Sequence, residues 1–361
     1  MKVLVWQWGR FGAGPRFAAM LADGLRSVPG VTASLSLSSH ADVLTGTAPP
    51  ATELTVDTYR GLPGLIGRAA SAPLMACRLT RRIRALAPDL AICAMPGPLD
   101  LVMACALRRA GVPFLVIVHD ADPHPGDGFP FLMTLQRWLC RTADGVVALT
   151  GFIATRLQQQ GLAGPDRARL IQSSIPPMRF GQPVPRDAGG PLRLLFFGRL
   201  LSYKGLDLLD EVAARLERRT DIQLRVAGSG PDSPELARLS ARPGVSVENR
   251  WVSEQEVGEL MAWADALILP YREASQSGVA AVGLAAGCAI VATDVGGLRE
   301  QLGDLPGVTL CPPDAERLAA EVIRLAADPA AAKQVRIDVE GAWRDMAAAL
   351  LRDAEGLPRR R

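Results

Sequence analysis

The sequence predicts an α/β chain of two Rossmann-like domains facing each other across a cleft, and three observations carry the prediction. Short apolar runs closed by breakers alternate with helical patterns from end to end, as expected for strands buried on both faces of parallel sheets. A proline-rich stretch, 175–191, reads as a linker and interrupts the alternation once, separating a domain over 1–180 from one over 190–335. The loops after the strands carry glycine, serine, histidine and arginine, at the end where open α/β sheets bind ligands. A cleft between two such halves is where a small molecule is expected.

Composition agrees. With 361 residues and 48% hydrophobic side chains the chain can bury two sizeable cores. A net charge of +3 is too small to argue for a nucleic-acid partner. Lys2, Lys204 and Lys333 are the only lysines among 40 basic residues, so a lysine inside a motif stands out. The six cysteines are scattered in apolar segments with no C-x-x-C pair, and the three histidines lack metal-ligand spacing to them. Buried thiols in a reducing cytosol, and no metal, are therefore expected. The run 3–6 is too short for a signal peptide, and no run approaches the ~18 apolar residues of a spanning helix. A cytoplasmic protein is expected.

In the first half, strand 3–6 leads into a glycine loop, residues 9–15, containing Gly12 and Gly14. The helix after it has an apolar face of Phe17, Met20, Leu21 and Leu25. The loop has a phosphate-binding shape, but its glycine order is not the dinucleotide fingerprint. Strand 31–37 ends in Ser38, Ser39 and His40, without the acidic residue a dinucleotide ribose requires, which argues against an NAD enzyme. The stretch 60–84 holds Arg60, Arg68, Arg78, Arg81, Arg82 and Arg84 with no acidic residue, and Leu74, Met75, Leu79, Ile83 and Leu86 can form an apolar stripe. Such a segment is either a solvated helix face or a surface for anionic membranes. Strands follow at 90–94, 114–118 and 145–149. Between the last two lies a polar insert, 119–127, that opens with His119 and Asp120, where α/β folds put working side chains. Its prolines and irregular spacing disfavour a metal.

The second half repeats the alternation, with strands at 194–197, 222–227, 245–248, 266–269, 289–292 and 308–310. Helix starts are marked by Ser233-Pro234, by the capping box Ser253 to Glu256, and by Asp314. Gly198 and Arg199 directly follow a buried strand, with Lys204 five residues on. A guanidinium fork beside a compact ammonium suits a diphosphate, which makes this pair more than surface cations flanking a loop. After strand 266–269 come Glu273, Ser275, Gln276, Ser277, Gly278 and Val279. This loop reads as an ordinary capped helix or as a phosphate-binding helix start; on its own it does not decide.

Four pieces of the second half, FFGRLLSYKGLDLL (196–209), RVAGSGP (225–231), VSEQEVGELMAWADALILPY (252–271) and SGVAAVGLAAGCAIVATDVGGLRE (277–300), together resemble the family 4 glycosyltransferases of the GT-B fold. The first half matches more loosely, at the loop near Gly12, at VIVHD ending on Asp120, and at ADGVVALT (143–150). The resemblance implies metal-independent transfer of a sugar, with retention, from a nucleotide diphosphate donor (UDP- or GDP-linked) to a glycan or lipid-linked acceptor in polysaccharide or glycoconjugate synthesis. It implies that Arg199, Lys204, the glycine loop and the helix start at Ser277, Gly278 and Val279 hold the leaving diphosphate. His119 would lie at the reacting sugar and Gly228 to Gly230 by the base, and a terminal helical segment, 336–361, would return to the first domain. The protein would be cytoplasmic or peripheral on the inner face of the plasma membrane through 60–84.

One departure stands out. The family's usual pair of glutamates, separated by seven residues, falls on Ser275 and Gly283, and Glu273 substitutes only if the loop bulges. An ASQSG-type subgroup is similar in this. The departure motivates a rival reading, a non-catalytic nucleotide-sugar binding or scaffold protein on the same fold; a sugar-nucleotide epimerase is a third.

Overall fold

The computed structural model describes every residue except 46–47, 125, 127–129, 165–166, 181–189, 304, 329–336 and 358–361. Pro125 and Asp127 of the polar insert and much of the linker therefore lie outside the described residues. Two compact units divide the chain. Unit 1 comprises Met1–Pro123, Gly128–Pro176 and Glu340–Arg361; unit 2 comprises His124–Asp127 and Pro177–Val339.

Unit 1 runs β1 (Lys2–Gln7), α1 (Ala13–Arg26), β2 (Thr32–Ser38), β3 (Leu54–Val56), α2 (Gly61–Ala70), α3 (Ala72–Leu86), β4 (Leu90–Cys93), α4 (Asp100–Ala110), β5 (Phe114–Val118), α5 (Pro130–Thr142), β6 (Gly145–Ala148), α6 (Gly151–Gln159) and β7 (Arg169–Gln172). Its seven strands are all parallel, in the order β3-β2-β1-β4-β5-β6-β7. β4, β5 and β6 are buried along their whole length, as helices on both faces require.

Unit 2 runs β8 (Leu192–Phe197), α7 (Leu206–Leu216), β9 (Ile222–Gly228), α8 (Pro234–Ser240), β10 (Val245–Asn249), α9 (Glu254–Trp263), β11 (Ala266–Leu269), α10 (Gly278–Ala286), β12 (Ala289–Thr293), α11 (Leu298–Leu302), β13 (Val308–Cys311) and α12 (Ala315–Ala327). Its six parallel strands are ordered β10-β9-β8-β11-β12-β13. Helix α13 (Val339–Ala354) follows. The sheet thus reverses direction beside β8, as the other does beside β1. Loops leaving adjacent strands part there and open a crevice at the carboxyl edge.

The start signals act as read. Ser233 and Asp314 accept the third amide of their helices, and Ser253 with Glu256 forms a capping box. Gly287 ends α10 in the left-handed conformation at φ 70°.

Three expectations need correction. The basic stretch is two helices broken at Ser71, and its stripe is only partly used: Leu79 and Ile83 are buried where α3 lies along α4, whereas Leu74 is exposed. Cys77 and Cys105 are exposed on those helices, and only the other four thiols are buried. The edge strands β3 and β7 were not expected: β3 has three residues, and β7 buries only Ile171, so neither forms an apolar run. Among the described residues no helix is long and apolar enough to cross a membrane.

The terminal helix is locked onto α1. The Trp343 ring meets Phe17 edge-on at 4.9 Å, and a Cβ on Gly24 would lie 2.6 Å from the Trp343 carbonyl oxygen. In a solvent-exposed helix Gly→Ala gains about 1 kcal/mol. Here the methyl would collide with backbone, so Gly24→Ala is expected to lower the urea midpoint; a raised midpoint would show that α13 does not dock this way.

Candidate active site

In unit 2 the site begins with glycines. A Cβ on Gly228 (φ 148°) would lie 1.7 Å from the Gly198 carbonyl oxygen, one on Gly230 2.1 Å from that of Leu200, and one on Gly205 (φ 74°) 1.7 Å from that of Pro270. The loops after β8, β9 and β11 therefore pack backbone on backbone, stitched by Leu200 N–H to the Ser229 carbonyl at 2.9 Å and Arg272 N–H to the Tyr203 carbonyl at 2.9 Å. Only residues without a Cβ allow this approach.

The packing gathers the cations and the helix start around two rings, Tyr203 and Tyr271. Tyr271 is fully buried, and burial pushes its phenol up to about 12, so it stays protonated. Lys204 places its ammonium 3.8 Å from the centre of that ring and 5.0 Å from that of Tyr203. Exposed Arg199 donates to the Tyr203 hydroxyl. The Tyr271 hydroxyl lies 3.4 Å from Ser277 Oγ, which accepts the Ala280 amide at 3.1 Å as the cap of α10. Gln301 clamps the same residue, accepting the Ser277 amide at 2.7 Å and donating to its carbonyl at 2.9 Å. Val279 touches the Gly198 loop, with its Cγ2 3.3 Å from where a Gly198 Cβ would stand. Gly278 faces open space. Two permanent cations and the positive end of a helix thus share one crevice, an arrangement suited to a polyanion.

The remaining unit 2 candidates divide. Ser275 is buried, and Gln276 Oε1 is buried with no hydrogen-bond partner among the described residues. Glu273 is exposed, its carboxylate 3.9 Å from Nδ1 of His124, whose ring stacks on Tyr203 at 4.5 Å. At Gly283 a Cβ would lie 2.2 Å from Leu267 Cδ1, so a larger residue there requires the Leu267 side chain to move.

In unit 1, Gly12 precedes α1 at φ 84°, its amide 3.4 Å from Asp42 Oδ2. Gly14 is buried against Gln7, whose Oε1 accepts the Gly9 amide at 2.9 Å and so holds the loop from beneath. His119 is buried, edge-on to Phe17 at 4.8 Å, with Nε2 2.9 Å from the Ala94 carbonyl oxygen. A carbonyl only accepts, so Nε2 carries the proton and Nδ1 of the neutral ring is an acceptor. Burial lowers its pKa, which keeps it neutral at pH 7. The Asp120 carbonyl accepts from Gln136, and Asp122 is bound by Arg156 at 2.6 and 3.1 Å, a structural use of that carboxylate.

Two family descriptions match, "Glycosyl transferase 4-like domain" over residues 12–173 and "Glycosyl transferases group 1" over 191–328. The chain belongs to the family 4 glycosyltransferases of the GT-B fold. This glycosyltransferase is 29% identical to the 2-deoxystreptamine glucosyltransferase of Streptomyces kanamyceticus, over 75% of this chain and 76% of that one. It is 32% identical to a glycogen synthase of Mycobacterium tuberculosis over 55% of this chain, and spans 50% of that relative's length. Its fold is that of HepE from Anabaena, solved with UDP and glucose: TM-score 0.67 at 16% identity, covering 99% of each chain.

Tyr203, Tyr271, Gln301 and Gln7 escaped the sequence reading. A signal existed for the tyrosines, since the glycosyltransferase has only three and two of them flank Lys204. Gln7 and Gln301 act on backbone brought close by folding and left none.

His119 has a testable pH signature. Its folded pKa is lowered, so below about pH 6.5 the unfolded chain binds a proton that the native state refuses. Its contribution is present above that pH and lost as pH falls. Between pH 7.5 and 5.5 the urea midpoint of the parent should fall further than that of His119→Asn; equal falls would contradict a buried neutral ring.

Proposed function

We propose that the protein is a retaining transferase that moves a sugar from a UDP- or GDP-linked donor to a glycan or lipid-linked acceptor. One observation carries this reading: at the reversal of the unit 2 sheet Arg199 meets the Tyr203 hydroxyl, Lys204 lies by the Tyr203 and Tyr271 rings, and the cap of α10 meets the Tyr271 hydroxyl. As the bond between the anomeric carbon and the diphosphate breaks, negative charge grows on the leaving oxygens. The guanidinium fork, the ammonium and the amides after Ser277 are already oriented toward such charge, and preorganised donors of this type each contribute roughly 10²–10³-fold. The acceptor hydroxyl forms the new bond and its proton leaves with the diphosphate. His119, neutral, would accept a hydrogen bond from a sugar hydroxyl at Nδ1.

Transfer and donor hydrolysis on purified protein, with a panel of nucleotide sugars, test the reading. Arg199→Ala and Lys204→Ala should each lower kcat by roughly 10²–10³-fold with the Tm unchanged. Near-normal turnover in both would remove their role. The glycine at 283, where the family's second glutamate falls, supports a second reading, a nucleotide-sugar binding protein without turnover, which donor binding with no transfer or hydrolysis across acceptors would favour.

A lipid-linked acceptor, and a peripheral position on an anionic membrane, are supported by Leu62, Ile66 and Leu74. All three are more than half exposed on α2 and α3, near the exposed Arg78, Arg81 and Arg82. Co-sedimentation with vesicles containing phosphatidylglycerol should fall with rising salt and in the Leu62→Asp/Ile66→Asp double variant; salt-insensitive failure of the parent to bind would rule the membrane surface out.

A further inference from the structure

Asp100, in the first turn of α4, is a carboxylate that neither the donor site nor the core of unit 1 calls for, and it is 1% exposed. Among the described residues it has no cation as a partner, and an unpaired buried charge is costly. Burial pushes its carboxyl up to about 7, against donors at Gly97, Cys93 and Trp6 that favour the ionised form. The ionisable groups that face it are the Cys93 thiol and the Tyr59 phenol, both raised by burial and both protonated at neutral pH. Its Oδ1 is buried without a hydrogen bond. So is the Trp6 indole nitrogen, which lies near enough to favour the charge but outside bonding geometry. Such breaches of core chemistry mark functional positions more often than stabilising ones.

What the carboxylate holds is the loop after β4, Ala94-Met95-Pro96-Gly97-Pro98. Its two prolines have no N–H, so Gly97 offers the single amide between Met95 and Leu99. Asp100 Oδ2 accepts that amide at 2.7 Å, and the Asp100 amide returns to the Gly97 carbonyl at 3.3 Å. The same Oδ2 accepts the Cys93 thiol at 3.4 Å, so the loop is gripped where it leaves the strand and again at its turn. Between the two grips lie the residues that meet His119 and the glycine loop. The Ala94 carbonyl accepts His119 Nε2 at 2.9 Å, and the Met95 sulfur lies 3.2 Å from where a Gly14 Cβ would stand.

We propose that Asp100 is a positioning residue for His119: its carboxylate fixes the loop 94–97, and the Ala94 carbonyl in that loop fixes the orientation and tautomer of the imidazole. Hydrogen bonds to a charged acceptor are roughly twice as strong as those to a neutral one, so protonating Asp100 loosens both grips without protonating the ring. The consequence for turnover rests on the transferase reading above; the link from carboxyl to imidazole does not. Stability runs the other way. The folded carboxyl binds its proton more tightly than the unfolded one, so its contribution is present at low pH and lost as pH rises through about 7. Removing the charge therefore relieves the fold above that pH.

The full chain labelled with ¹⁵N-histidine tests this, the His119 signals being assigned by their loss in His119→Asn. Between about pH 6 and 8 both ring nitrogens of His119 should shift with a midpoint near 7 while keeping the pattern of a neutral ring protonated at Nε2. Asp100→Asn should abolish the shift, and Cys93→Ala, which removes one donor to the carboxylate, should move its midpoint upward. His119 signals that do not respond to pH in the parent overturn the proposal, as does the same titration in both variants. At pH 8 Asp100→Asn should lower kcat roughly tenfold or more, with UDP affinity unchanged and a Tm equal to or above the parent's. A role confined to stability gives the opposite, a lowered Tm with parental kcat in the molecules still folded, and that result also overturns it. The resonances are read without donor or acceptor, so an absence of transfer in the parent removes the transferase reading and leaves the titration to decide the positioning.

Discussion

Backbone packed directly on backbone at the carboxyl edge of the second sheet is the constraint on which the site depends. Carbonyl oxygens of Gly198, Leu200 and Pro270 stand where Cβ atoms of Gly228, Gly230 and Gly205 would be. Any side chain there would push the loops apart and carry Arg199 and Lys204 away from the start of α10. The glycines lower the stability of the unfolded-to-folded step through backbone entropy, and the close approach they permit is what the site gains. Glycine in this region is thus a requirement of loop packing, whatever contact it also makes with a ligand.

Aromatic rings then set the cations. Tyr271 is buried and protonated, Lys204 lies over its face, and its hydroxyl reaches the cap of α10. A ring quadrupole attracts an ammonium by about 0.5–2 kcal/mol and so helps to fix its position. Gln301 adds rigidity by gripping both backbone groups of Ser277, which holds the first amides of the helix in place before any ligand arrives. Preorganisation of this kind is what makes electrostatic stabilisation effective, because no dipole has to turn during the reaction.

Unit 1 solves a different problem with similar means. Gln7 braces the glycine loop from below, and His119 is kept neutral by burial and by a carbonyl that accepts its proton. In each case a neutral side chain positions a polar group and leaves the local charge intact. Helix α13, through Trp343 against α1, makes the last stretch of the chain part of this unit's core.

The sequence alone determined the alternation of strands and helices, the helix caps at Ser233, Ser253 and Asp314, and the loops carrying Arg199, Lys204 and Ser277, because these depend on neighbours within a few residues. It could not reveal Tyr271 and Gln301 as parts of the site, since each acts on a residue of another loop or element. Nor could it show that position 283 packs against Leu267, on the strand beneath. The basic stretch 60–84 followed the same rule. Its charge was legible, but whether an apolar residue on it faced α4 or solvent was decided by packing. Local signals are written in adjacent residues; the positioning of charge is decided by which distant surfaces come into contact, and only the folded chain contains that information.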